Sequence, residues 1–86
     1  MTTYKKDCDI LVYTRKDPPC AYCERAKAML NYYGLQYEDK VIGEDISRDE
    51  FVEKYPNIKT IPAVFFDNKF IGGYMELEKE VWNIQQ

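Results

Sequence analysis

Ile10-Leu11-Val12-Tyr13, a polar loop ending in Pro18-Pro19, and then Cys20-Ala21-Tyr22-Cys23-Glu24-Arg25-Ala26-Lys27-Ala28-Met29-Leu30 form the stretch that decides how this chain folds. The first four residues are a short apolar run of strand formers, and the segment after Cys23 is a strong helical run. Two thiols spaced C-x-x-C therefore sit where a strand hands over to a helix. The first turn of a helix leaves backbone N–H groups unpaired and carries the positive end of the dipole, and both favour an anion such as a thiolate. A free cysteine, with a pKa of roughly 8.5, is mostly protonated at neutral pH, and this setting raises its reactive fraction. Cys20 is the expected nucleophile. Cys23, one turn deeper and within reach of a mixed disulfide on Cys20, is the expected resolving thiol.

A tetrahedral zinc site competes for the same motif, but it needs further ligands. The chain has no histidine, and its only other cysteine is Cys8, so no metal site is expected. The lack of histidine also removes Cys–His chemistry, leaving dipole and cation effects to activate a thiol. Cys8, beside the first strand, reads as a small apolar packing residue. The acidic set Asp45, Asp49, Glu50 and Glu53 reads as a solvated face rather than a cation site.

Eighty-six residues suit a single domain over 1–86, and 45% apolar with 31% charged residues reads as a soluble globular chain. No apolar stretch approaches the roughly 20 residues of a membrane span. Met1–Asp7 lacks the apolar segment of a signal peptide, so a cytoplasmic location is expected. The net charge of -3, with both signs interspersed, argues against nucleic acid as a partner. The eight tyrosines read as amphipathic residues at the core boundary rather than as base-stacking platforms.

Along the chain, a first strand is expected at 9–14. A helix follows from Cys20 or Ala21 to Tyr33, with Ala26, Met29, Leu30 and Tyr33 on one face and Gly34 as its left-handed terminator. Leu35–Val41 reads as a second strand. Ser47-Arg48-Asp49-Glu50 is a capping box opening a short helix that ends at Tyr55, before Pro56. Ala63–Phe66 and Lys69–Ile71 flank Asp67-Asn68 as a hairpin, and Gly72-Gly73 breaks it. Tyr74–Ile84 reads as a last helix with Leu77, Val81 and Trp82 turned inward. The order β-α-β-α-β-β-α implies a right-handed parallel crossover followed by an antiparallel hairpin, hence an α/β fold with a four-stranded mixed sheet and three helices.

Three separated motifs then agree. Cys20-Ala21-Tyr22-Cys23 is similar to Cys-Pro-Tyr-Cys, Thr60-Ile61-Pro62 to Thr-Val-Pro, and Gly72-Gly73-Tyr74-Met75-Glu76-Leu77 to Gly-Gly-Tyr-Thr-Asp-Phe. In their order and spacing the chain resembles the glutaredoxin family of thioredoxin-fold oxidoreductases, from about Ile10 to Trp82. The resemblance implies a cis Pro62 and a thiol–disulfide oxidoreductase that uses glutathione as cosubstrate and holds no permanent cofactor. It implies that Tyr22, Thr60, Ile61, Pro62, Gly73, Tyr74 and Met75 line the glutathione groove. A cation meets the glycine carboxylate of the tripeptide, with Lys16, Arg15 and Lys59 as candidates. Disulfide-bearing protein clients, ribonucleotide reductase among them, and a monomeric state follow from the same resemblance. Two other readings stay open: a redoxin reduced by thioredoxin reductase, and a dimer carrying an iron–sulfur cluster on Cys20 and glutathione. Ala21 in place of proline, a longer loop over 15–19, and Met75-Glu76 in place of a hydroxyl residue and Asp are this chain's departures from the pattern.

Overall fold

A computed structural model describes residues 8–85, without the side chain of Gln85. Met1–Asp7, and with them the signal-peptide reading, lie outside the described residues. The elements run β1 (Ile10–Thr14), α1 (Ala21–Tyr32), β2 (Glu38–Val41), α2 (Arg48–Lys54), β3 (Ala63–Phe66), β4 (Lys69–Gly72) and α3 (Tyr74–Gln85). The sheet order is β2-β1-β3-β4, with β1 parallel to β2 and antiparallel to β3, and β3 antiparallel to β4. This is the mixed four-stranded sheet with three helices of the thioredoxin fold.

The central strands are apolar on both faces because both faces are covered. Alternation sends Ile10, Val12, Val64 and Phe66 toward Ala26 and Leu30 of α1 and Leu77 and Val81 of α3, in one core. Leu11, Tyr13, Ala63 and Phe65 point the other way, where Phe51 of α2 and the partly buried Tyr55, Ile58 and Ile61 complete a second.

Local chemistry sets the boundaries. Asp67 and Asn68 take φ of 51° and 68°, the paired left-handed conformation of a tight hairpin turn. Asp67 ties that turn to the start of β1, its carboxylate accepting from Asp9 N–H at 2.9 Å and its own N–H donating to the Asp9 carbonyl at 2.7 Å. Ser47 caps α2 by accepting from Glu50 N–H at 3.0 Å, and the reciprocal Glu50 bond does not form. Gly34, at φ +70°, ends α1, and Leu35 N–H returns to the Leu30 carbonyl at 2.9 Å.

Several expectations need correction. β2 starts at Glu38 rather than Leu35, because Leu35 is buried as the apolar residue closing the helix cap and not as part of the ladder. α1 ends at Tyr32 and α2 at Lys54, and Tyr33 is 38% exposed instead of core. Trp82 is 64% exposed, because Leu77 and Val81 already fill the inward stripe and residue 82 lies about 100° further round the helix.

Candidate active site

β1 ends at Thr14, and the chain crosses a loop containing a cis Asp17–Pro18 bond before entering α1 at Cys20. Cys20 is the N-cap of α1: its backbone is extended, and its Sγ accepts from Cys23 N–H at 3.2 Å. Cys20 and Cys23 are joined as a disulfide. Both cysteines are buried, Cys23 completely and Cys20 with 8% of the residue's surface exposed.

Three contacts bring separate segments to this point. Cys20 Sγ lies 3.9 Å from the carbonyl oxygen of Ile61, which precedes the cis Pro62. Gly73, at the head of α3, backs onto the same loop so closely that a Cβ there would sit 3.4 Å from the Pro62 carbonyl oxygen. The rings of Tyr22 and Tyr74 meet at 5.7 Å, joining the thiol loop to α3. The thiol loop, the cis-proline loop and the start of α3 thus converge.

The comparisons agree with this geometry. The family model for Glutaredoxin matches residues 10–71. This chain belongs to the glutaredoxin family. Glutaredoxin 1 of Rickettsia conorii is 36% identical over 76 residues, covering 83% of this chain and 72% of that protein. Glutaredoxin 3 of Escherichia coli is 32% identical over 69 residues, covering 80% and 81%. The solution structure of reduced Escherichia coli glutaredoxin superposes with a TM-score of 0.68 at 27% identity, over 87% of this chain and 94% of that one. Glutaredoxins are thiol–disulfide oxidoreductases, and this enzyme carries the paired cysteines that the chemistry requires.

Around the disulfide of this glutaredoxin, Tyr22 and Met75 are 55% and 72% exposed. Thr60 is exposed, Ile61, Gly73 and Tyr74 are half-buried, and Pro62 is buried. The candidate cations differ in their engagement. Lys16 pairs with Glu44 at 3.6 Å, and Arg15 Nε donates to the Pro18 carbonyl at 3.1 Å. Lys59, exposed and next to Thr60, makes no ion pair among the described residues.

Two features escaped the sequence reading. Glu76 folds back on its own helix, its carboxylate accepting from Gly73 N–H at 2.8 Å. Gly73-x-x-Glu76 has the spacing of a capping pair, so the signal was present. Gly72 must be a glycine there: its φ is +129°, and a Cβ would fall 2.5 Å from Glu76 Cγ. The second is a polar chain beside α1. The buried Thr14 hydroxyl donates to Asp39 at 2.6 Å, and Lys27 bridges Asp39 at 3.3 Å and Glu24 at 2.9 Å. The Glu24 hydrogen bond, helped by Asp39 and opposed by burial, raises the Lys27 pKa. Among the described residues no His, Cys, Asp and Glu cluster gathers to hold a metal, and no helix is long and apolar enough to cross a membrane.

Proposed function

We propose that this glutaredoxin reduces protein disulfides and glutathione mixed disulfides by a dithiol route in which Cys20 attacks and Cys23 resolves. The observation that carries the assignment is that Cys23 N–H is already placed to stabilise a Cys20 thiolate, while Cys23 itself is fully buried and Cys20 retains a small exposed fraction. In the first step that thiolate displaces one sulfur of the substrate disulfide, which leaves as a thiolate and takes a proton. The Cys23 thiolate then displaces the second substrate sulfur, leaving the Cys20–Cys23 disulfide. The substrate gains two electrons and two protons, and the enzyme loses them. Two glutathione molecules restore the dithiol and become glutathione disulfide.

Glutathione is proposed to lie across Tyr22, Thr60, Ile61, Pro62, Gly73, Tyr74 and Met75. With Gly73 N–H held by Glu76, the free N–H groups at the start of α3 are those just after Gly73, and these are the donors proposed for the γ-glutamyl carboxylate. Lys59 is the preferred partner for the glycine carboxylate, because Lys16 must first release Glu44. We further propose one domain over 1–86, acting as a cytoplasmic monomer, with ribonucleotide reductase among its clients.

Turnover with glutathione and its reductase, compared with turnover by thioredoxin reductase, tests the electron donor. Faster turnover with glutathione is expected, and turnover by thioredoxin reductase alone would overturn the glutathione assignment. In the same assay Lys59→Ala is expected to raise the KM for glutathione about three- to tenfold with little change in kcat, as for loss of one exposed charge-assisted contact.

A further inference from the structure

The helical layer of α1 and α3 leaves an aromatic surface open to solvent. Of the exposed large apolar side chains, Tyr22, Tyr32, Tyr33, Met75 and Trp82 all belong to α1, its C-cap or α3. A groove of about 1130 Å³ runs between the two helices, lined by Met29, Tyr32, Tyr33, Tyr74, Val81 and Trp82. Contiguous exposed aromatic and Met surface of this kind marks an interface rather than random surface. The groove is continuous with the reaction centre, because Tyr74 lines it and also meets the Tyr22 ring beside Cys20.

We propose that this groove docks the polypeptide that flanks the reactive cysteine of a protein client. The inference rests on the proposed attack by Cys20. A client sulfur must reach Cys20, and the apolar way out from that point leads over Tyr22 and Tyr74 into the groove. From Tyr22 to Tyr32 the helix rises about 15 Å, at about 1.5 Å per residue. An extended client strand covers that span in about four to five residues, at about 3.3 Å each. The client therefore carries an aromatic or large aliphatic side chain about five residues from its cysteine. Charge adds a second requirement. Glu78, exposed on the groove wall and without an ion pair among the described residues, favours a Lys or Arg beside that anchor and disfavours an acidic segment. The same carboxylate, on a chain of net charge -3, also disfavours a second copy as the occupant.

The test uses synthetic peptides whose reactive cysteine is disulfide-bonded to a second cysteine of the same peptide, so that no glutathione occupies Tyr22 and Tyr74 while the peptide docks. Trp and Lys are placed five residues before or after the reactive cysteine, beside a control with Ala at both positions. For the full chain, the KM of one Trp–Lys peptide is expected to be about tenfold below that of the control. Tyr32→Ala and Trp82→Ala are each expected to abolish that difference. They should leave kcat and the turnover of bis(2-hydroxyethyl) disulfide unchanged. Equal KM for all peptides, or variants that keep the difference, would overturn the docking proposal. So would sedimentation showing a dimer that Trp82→Ala dissociates, since a second copy would then fill the groove. Cys20→Ser separates the two levels: if it still turns over the small disulfide, the reading beneath the proposal fails, whatever the peptides show.

Discussion

The two helical layers use the same residue types to opposite ends. Under α2, Tyr13 stacks edge-on against Phe51, Tyr55 and Phe65 at 5.0 to 5.7 Å, in a sealed cluster. Over α1 and α3, Tyr22, Tyr32, Tyr33 and Trp82 lie on the surface, and Tyr32 is 82% exposed. An aromatic ring sealed in a core contributes its full burial to folding, whereas one left on a helix surface contributes far less. The difference follows from placement. Tyr13 sits on a central strand covered on both faces, while Tyr32 and Trp82 sit on helix faces turned away from the sheet.

Truncating one ring in each layer breaks this contrast most sharply. Phe51→Ala opens a cavity beside Tyr13 and is expected to cost about 3–5 kcal/mol in denaturant unfolding. Tyr32→Ala should stay within about 0.5 kcal/mol of the parent. Comparable losses would mean that the open layer is structural after all.

Gly72→Ala probes the junction that feeds the open layer. A side chain at φ +129° meets Glu76 and displaces it from Gly73 N–H. Thermal unfolding should report a loss of about 1–3 kcal/mol. An unchanged midpoint would show that the Glu76 cap is dispensable.

The smallest expected effect is a pH dependence confined to the sealed layer. Burial first, then the hydroxyl of Tyr55 at 3.4 Å, raises the Tyr13 pKa far above that of a free tyrosine. The folded state therefore keeps this proton after the unfolded chain has lost it at about pH 10. Stability is undiminished below that pH and declines as pH rises above it. Tyr13→Phe should remove this part of the alkaline decline while leaving stability near neutrality within about 1 kcal/mol. Parallel pH profiles for the two proteins would contradict the assignment.

Much of this architecture was legible because local signals and the global fold agree. Ile10–Tyr13, the Asp67-Asn68 turn and the Ser47 cap each encode their element through nearest-neighbour chemistry. The sequence misled where one residue type serves two purposes. Leu35 is apolar because it closes a helix cap over the core, so its hydrophobicity mimicked a strand start. Trp82 is apolar because it faces the groove, so it read as core. In the site, the C-x-x-C pair and Pro62 were visible as motifs. The Lys16–Glu44 pair was not, because it joins two loops whose relative position only the folded sheet defines.

The central claim is that Cys20, and not Cys23 or Cys8, makes the first bond to the substrate. Cys23→Ser, reduced and exposed briefly to a glutathionylated peptide, should accumulate a mixed disulfide that mass spectrometry maps to Cys20. Cys20→Ser should accumulate none over the same interval. An adduct on Cys8 in the first variant, or an equally rapid one on Cys23 in the second, would contradict the account.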